Sequence, residues 1–395
     1  MNAQRRKLCL SMIVKNEAVV IRRCLGSVLP LIDYWVIVDT GSEDGTQEII
    51  KEFLRDVPGE LHQKPWVNFA HNRTEALELA KPHAEYALVI DADDTLVIEP
   101  GFVMPKLAKD SYSLIIESPP FSFHRTQLMR NSSGWRYAGV LHEIPVCMTR
   151  IATSDLLTGI RIRRGVDGAR RKQPDLFRRD AAVLETALVM ETDPFLISRY
   201  RFYLAQSYRE CGETEKAVEN YMIRANLGFW DEEVFVSLLE MAKLQGQLGH
   251  SIDEVLATLA RAADACPRRA EALHAASRLC RLHNRYTQGY EFARRGVKIP
   301  LPNGGLFVEA WVYEYGLLDE LAISAYCIGR YDECLAAGER LLQERKIPAE
   351  SRYQIERKTR LARKKLSSRR TDQEKEPADT PDLSFVRMSW TERSD

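Results

Sequence analysis

The sequence lacks the marks of several common protein classes. None of its eight cysteines forms a Cys-x-x-Cys pair. Neither a zinc ribbon nor a disulfide framework is expected, and the thiols read as small core residues in a reducing cytosol. Lysine plus arginine balance aspartate plus glutamate at 56 each, so the molecule as a whole has no bias toward nucleic acid or anionic membrane, though local patches can have one. No apolar run nears the roughly 18 residues that span a bilayer. Arg5, Arg6 and Lys7 precede a short apolar run, but Lys15, Asn16 and Glu17 end it without a small-residue cleavage site. A signal peptide is therefore not expected, and the chain is read as cytoplasmic. The glycine loops that cradle nucleotides are missing too: there is no Gly-x-x-x-x-Gly-Lys-[Ser/Thr], and no Gly-x-Gly-x-x-Gly after the first strand. A nucleotide, if bound, must be held by other means, such as carboxylates and a metal.

With 395 residues and 45% apolar content, two or three domains are expected. The most informative stretch is Tyr86-Ala-Leu-Val-Ile-Asp-Ala-Asp-Asp94. Its continuous apolar run suits a parallel strand covered on both faces. Asp91, Asp93 and Asp94 arrive where that strand emerges, at the sheet edge where open α/β folds bind ligands. Three carboxylates so close repel one another, and a hard divalent ion holding a phosphate would relieve them. The plainer alternative is a helix N-cap. Upstream, Leu8 to Val14 predicts a strand, Ala18 to Leu29 a helix, Trp35 to Asp39 a strand, and Thr40 to Thr46 a polar loop with two glycines. Gln47 to Leu54 predicts a helix, Gly59 to His62 a strand, and Arg73 to Leu79 an amphipathic helix. This is a βαβ series with a parallel sheet. Further strands are expected at Tyr112 to Glu117, around Trp135 and Tyr137, and at Leu157 to Arg164.

Four segments in order, Ser11-Met-Ile-Val-Lys-Asn-Glu17, Val38-Asp-Thr-Gly-Ser-Glu-Asp-Gly-Thr46, Phe69-Ala-His-Asn-Arg73 and Ile90-Asp-Ala-Asp-Asp94, resemble the family 2 glycosyltransferases of the GT-A fold. The resemblance covers about residues 7 to 165. It implies an α/β, Rossmann-like nucleotide-sugar-binding domain, a nucleotide-diphosphate sugar donor, read in the leading hypothesis as a UDP-sugar, Mn²⁺ or Mg²⁺, and inversion at the anomeric carbon. Carried over by residue, Met12, Ile13, Val14 and Glu17 border the base and ribose, Asp39 holds the base or ribose, and Arg73 lies near the base or diphosphate. In the Asp-x-Asp motif Asp91-Ala92-Asp93, the first carboxylate faces the ribose and the second the metal. The family often has Asn after the Arg, where this chain has Thr74. A metal on carboxylates would neutralise the charge gained by the departing nucleoside diphosphate.

An inverting transfer also needs a general base beside the acceptor. The resemblance extends to a His-Glu pair at His142-Glu143. Glu143 is the favoured base or acceptor ligand, Asp94 is its rival, and His142 could complete the metal shell. Arg161, Arg163, Arg164, Arg170, Arg171 and Lys172 form a basic stretch, read either as a clamp on the donor diphosphate or as a solvated linker.

From Leu176 onward helical periods replace strand signals. Phe202 to Tyr208, Gly212, Ala217 and Tyr221 fit a tetratricopeptide (TPR) unit, and turns follow at Gly249, Asn284 and Gly329, about 35 to 45 residues apart against a usual period of roughly 34. Four degenerate helical hairpins are expected, with a concave face that presents an acceptor or builds a homodimer. The expected layout is a catalytic domain at 1–165, an all-α TPR-like domain at 166–350, and a tail at 351–395 with a basic fraying helix followed by polar disorder. The leading reading is an inverting, metal-dependent transferase that moves a glucose-type hexose to a peptide or protein, a saccharide or lipid, or a modified DNA base. The alternative is an inactive repeat scaffold with a vestigial nucleotide-sugar domain.

Overall fold

The computed structural model describes residues 7–119, 121–149, 151–344 and 346–372. The chain divides into two compact units, Met1–Asn220 and Tyr221–Asp395.

The first unit begins with β1 (Leu8–Val14), α1 (Ile21–Val28), β2 (Tyr34–Asp39), α2 (Thr46–Phe53), β3 (Gly59–Gln63), α3 (Phe69–Ala80) and β4 (Tyr86–Val89). Then come β5 (Thr95–Ile98), β6 (Ser111–Ser118), β7 (Phe121–Arg130), β8 (Trp135–Ala138), β9 (Ile144–Cys147) and β10 (Ser154–Arg163). Eight strands form one sheet in the order β3-β2-β1-β4-β7-β6-β10-β5, while β8 and β9 form a separate antiparallel pair.

Strands β3, β2, β1 and β4 are parallel, as expected. Beyond β4 the sheet is mixed. β7 runs antiparallel to both β4 and β6, β10 parallel to β6, and β5 antiparallel to β10. The apolar run of β4 follows from its central place. Leu88 and Ile90 pack with Ile21, Leu25 and Val28 of α1, whereas Ala87 and Val89 pack with Ala70 and Leu77 of α3. Both faces are covered, so neither tolerates polar side chains. Val14 pairs with Asp39, and Ser11 with Val89. The carboxyl ends of β1, β2 and β4 therefore lie side by side.

Helix α3 starts a turn earlier than its apolar spacing suggests, because the Asn68 side chain caps it by accepting the His71 N–H at 2.8 Å. No helix follows Asp94. The chain enters β5 instead, which removes the N-cap explanation for the acidic cluster.

Helices α4 (Leu176–Met190), α5 (Pro194–Glu210) and α6 (Thr214–Leu227) follow, and the division between units falls inside α6. The second unit continues with α7 (Asp231–Gln247), α8 (Ile252–Ala265), α9 (Glu271–Leu282), α10 (Tyr286–Gly296), α11 (Leu317–Cys327), α12 (Tyr331–Glu344) and α13 (Ala349–Asp372). The four predicted turns share one geometry. Gly212, Gly249, Asn284 and Gly329 all have positive φ. Each is followed by a residue whose N–H reaches back five positions: Glu213 to Tyr208, His250 to Gln245, Arg285 to Cys280 and Arg330 to Ala325. This left-handed cap satisfies carbonyls that a helix end leaves open. Helix α13 is docked instead of frayed: Ile355 and Ala362 join the core of α10 to α12, and Lys358 pairs with Asp319. The polar tail expected beyond it lies, from residue 373, outside the described residues. Among the described residues no helix is long and apolar enough to cross a membrane.

Candidate active site

The loops after β1 and β2 are bound to each other. The Asn16 N–H donates to Ser42 Oγ at 2.8 Å, and Asn16 Oδ1 accepts the Glu43 N–H at 2.8 Å. The Glu17 N–H donates to Thr46 Oγ1 at 2.8 Å and the Ala18 N–H to Asp44 Oδ2 at 3.0 Å. Met12 and Val14 bury their side chains in the core, so any ligand they border meets their backbone. Val14 O is already taken by the N–H and hydroxyl of Thr40. Ala92 is buried as well.

Asp39, at the end of β2, is fully buried. Its Oδ1 accepts the Gly41 and Ser42 N–H groups, both at 2.9 Å. Its Oδ2 is buried without a hydrogen-bond partner among the described residues. A pocket of about 420 Å³ opens beside it, lined by Gly41, Ser42, Gln47, Gln63, Lys64 and Pro65.

The strand end at β4 holds an alternating chain of charges. Arg73 on α3 donates to Glu143 Oε1 at 2.5 Å and pairs with Asp91. Arg125 on β7 lies 3.5 Å from Asp91 and 3.4 Å from Asp94. Burial opposes the Asp91 charge, but Arg73 and then Arg125 outweigh it and hold the carboxyl well below its usual range. Burial likewise opposes the Arg73 charge, and Asp91 and Glu143 keep that guanidinium firmly protonated. Asp94 is 2% exposed. Burial and then the Asp91 charge push its carboxyl up to about 7, while the Gly165 N–H donates to it at 2.9 Å.

Asp93 and Glu17 lack such compensation. Burial and the neighbouring Asp91 carboxylate raise Asp93. Glu17 rises to about 7 through burial, then through Asp93 and Asp44, against the Ala169 N–H that donates to it at 3.2 Å. The basic stretch after β10 covers these groups and is not a free linker. A Cβ at Gly165 would stand 2.1 Å from the Asp93 carbonyl oxygen, so only glycine permits that approach, and one at Gly168 would stand 3.0 Å from Asp93 Oδ2, a tight contact. Arg23 of α1 ties the segment down, donating to Asp167 and, at 2.7 Å, to Asp93 O. Arg170 pairs with Asp180 at 2.5 Å, and Arg161 with Glu99 and Glu117. Arg164 sits close to the acidic cluster, its pKa lowered by burial and by Arg171 and Arg125.

His142 lies in the loop joining β8 to β9 and has a left-handed backbone, φ 52°. Its ring stacks on Tyr203 of α5, with centroids 3.7 Å apart and planes within 4°. His142 is an exposed residue, but the packing around its ring and then Arg199 hold it below the usual histidine value. Among the described residues no three His, Cys, Asp or Glu side chains converge as a ready cation cage. Thr74 accepts the Tyr137 N–H at 2.9 Å and so joins α3 to β8.

The fold and this site define an α/β domain that gathers carboxylates and guanidiniums at the carboxyl ends of its parallel strands. Residues 9–164 match the family model described as Glycosyl transferase family 2. Residues 9–164 therefore form an α/β domain that matches the family 2 glycosyltransferase model, and TPR-like helical hairpins follow it. The chain is similar to the SPbeta prophage-derived glycosyltransferase SunS of Bacillus subtilis, 24% identical over 225 residues, covering 53% of this chain and 52% of that protein. It is also similar to a TPR repeat-containing protein of Synechococcus elongatus, 35% identical over 94 residues, covering 24% of this chain and 22% of that one. It thus spans about half or less of the length of these curated relatives. Among solved structures, S. aureus TarS 1-349 in complex with UDP-GlcNAc is 13% identical with a TM-score of 0.31, covering 66% of this chain and 89% of that one. BtubC from P. vanneervenii is 19% identical with a TM-score of 0.37, covering 45% and 75%.

Several contributors escaped sequence reasoning, Arg125 and Tyr203 among them. Arg125 sits in a strand of mixed polar pattern that gave no strand signal, and Tyr203 lies in what reads as an ordinary repeat helix.

Proposed function

We propose that the chain transfers a sugar, glucose-type in the first instance, from a UDP-sugar to an acceptor with inversion, assisted by Mn²⁺ or Mg²⁺. The observation that carries this reading is uneven charge compensation. Asp91 is doubly paired with arginines, whereas Glu17 and Asp93 make no ion pair among the described residues and repel each other, with Lys172 and Arg171 offsetting this only in part. A cation is the missing partner. Mg²⁺ and Mn²⁺ commonly take one or two carboxylates and complete their shell with phosphate oxygens and water, so a full protein cage is not required. Asp93, with Glu17 beside it, would hold the ion. When bound, the ion supplies positive charge to the departing diphosphate. The orphaned Asp39 Oδ2 would accept an N–H or O–H from the base or ribose in the adjacent pocket.

On the acceptor side, Glu143 is the proposed base. It is 11% exposed, whereas Asp94 is sealed by Gly165 and Arg125. Glu143 would take the proton of the acceptor hydroxyl or thiol as that atom bonds to the anomeric carbon, and the bond from that carbon to the diphosphate oxygen breaks on the opposite side. The acceptor is proposed to be a peptide or protein, presented by the helical repeats or by a dimer built through them.

The test is incubation with Mn²⁺ and a panel of UDP-sugars, read as UDP release and as thermal stabilisation by UDP with Mn²⁺. Turnover and a stabilising shift are expected, and Asp93→Asn should abolish the Mn²⁺-dependent part of both with its own Tm little changed. No turnover and no shift in the unsubstituted chain would favour the inactive scaffold.

A further inference from the structure

The loop at residues 139–143 should be the loosest part of its region. It joins two four-residue strands that pair only with each other, and such hairpin tips normally project into solvent and move. Here it is gripped by one face of α5. Three residues at positions i, i+1 and i+4 of that helix supply the grip. Tyr200 accepts the Val140 N–H at 3.1 Å, and its ring lies 3.7 Å from where a Cβ of Gly139 would stand. Arg199 Nε donates to the His142 carbonyl at 3.0 Å. Tyr203 stacks face to face on the His142 imidazole, with the Arg199 guanidinium 5.0 Å from the Tyr203 ring centroid. His142 meanwhile holds a left-handed backbone, which a residue with a Cβ adopts at a cost and keeps only where its surroundings over-determine it.

The next residue is Glu143, which bonds Arg73, which pairs with Asp91. A continuous set of contacts therefore runs from α5 through His142 and Glu143 to the acidic end of β4. Resting on the transferase reading above, we propose that α5 is a positioning element of the active site. Arg199 and Tyr203 lock His142 so that the Glu143 carboxylate is aimed at the acceptor. His142 then serves as the anchor of this loop, in place of the metal-ligand role that the sequence suggested. The first repeat helices complete the catalytic unit, in keeping with the compact unit running to Asn220. Holding a catalytic group in its productive geometry depends on such supporting contacts.

The test uses the full chain with UDP-glucose and UDP-N-acetylglucosamine as donors and Mn²⁺ present. Tyr203→Ala, which removes the stack, should lower turnover at least tenfold while the Kd for UDP with Mn²⁺ stays within about twofold, because the donor groups lie on other elements. Tyr203→Phe keeps the stack and should restore most of the rate. Hydrogen exchange at residues 139–143 should accelerate in Tyr203→Ala and not in Tyr203→Phe. A Tyr203→Ala chain with unchanged turnover and unchanged exchange would overturn the inference and leave the transferase reading standing. Equal losses of rate and of UDP affinity would also overturn it, since they indicate general damage. An unsubstituted chain that turns over no donor would overturn the transferase reading first, and the inference with it.

Discussion

Arg73→Met strips a guanidinium from between two carboxylates. Arg73 and Glu143 are each 11% exposed and Asp91 is 33% exposed. Water can therefore replace little of what is lost. Breaking a buried pair from one side costs about 3–5 kcal/mol, chiefly because the remaining charge is stranded. Asp91 retains Arg125 at 3.5 Å, which puts the expected loss at the low end, about 3 kcal/mol. For a unit of some 200 residues this corresponds to a fall in Tm of roughly 6–12 °C. Differential scanning calorimetry at pH 7.5 reads it directly. If stranded charge is the cause, adding Asp91→Asn and Glu143→Gln to Arg73→Met should recover at least half of the loss. The deficit should also shrink in acid. In the unsubstituted chain the Asp91 carboxyl is held below its ordinary value, so the stability it confers is present above about pH 4 and fades as pH falls. Arg73→Met lacks the larger share of that contribution from the start, keeping only the part owed to Arg125, and the two chains draw together at low pH. A substituted chain within about 1 kcal/mol of the original at pH 7.5, or a triple variant no better than the single one, would refute the reasoning.

Three further outcomes are expected. Glu143→Gln should lower turnover by about 10²–10⁴-fold, as removal of a general base does, with UDP affinity measured by calorimetry nearly unchanged; an unchanged rate would eliminate Glu143 as the base. Gly165→Ala places a Cβ 2.1 Å from the Asp93 carbonyl oxygen; it should cost about 1–3 kcal/mol and weaken the thermal shift with UDP and Mn²⁺, whereas an unaffected shift would mean that this segment does not set the place of Asp93. His274 is lowered to about 3 by burial, then by Arg278. The folded state thus binds fewer protons than the unfolded state between about pH 3 and 6.5, and stability declines as pH falls through that window. His274→Phe should flatten the decline between pH 7 and 4.5 in urea titrations, and an unaltered slope would show that His274 is not its source.

The legibility of this chain in its sequence followed how local each determinant was. The four repeat turns were readable because a left-handed cap is set by one residue and its immediate neighbours, and Gly212, Gly249, Asn284 and Gly329 announce it. Strands β1, β2 and β4 were readable because burial on both faces forces an unbroken apolar run. β7 was not. Its sequence, Phe121 to Arg130, includes His124, Arg125 and Gln127 and is only partly buried. Arg125 is there because it reaches Asp91 and Asp94, a requirement set by partners about thirty residues away in sequence. β5, four residues directly after the acidic turn, is held by pairing with β10, and no local pattern records that. The grip of α5 on His142 was hidden for the same reason: Tyr203 has the helical spacing of any repeat residue, and only the folded chain brings the ring pair together.

Charge compensation also distinguishes the site from the rest of the molecule. In the second unit the buried charges are matched: Arg224 pairs with Glu233, Arg281 with Glu320 and Lys358 with Asp319. Such pairs repay the cost of removing ions from water only when their hydrogen bonds are complete, and Arg224 comes near this, bonding Glu233 and the Gly228 and Trp230 carbonyls. At the β2 and β4 ends the pattern reverses. Asp39 Oδ2 is the one carboxylate oxygen among the buried side-chain atoms lacking a partner in the described residues, and Glu17 and Asp94 are both pushed up to about 7. A domain that satisfies its charges elsewhere and leaves them strained here has placed its conflict with folding where a ligand can resolve it. The two kinds of deficit also differ. On the proposed function, Asp39 would take a hydrogen-bond donor, and Glu17 with Asp93 would take a cation. On that reading a nucleoside diphosphate accompanied by a divalent ion would supply both at once, whereas a bare cation or a bare base would leave one of them unmet.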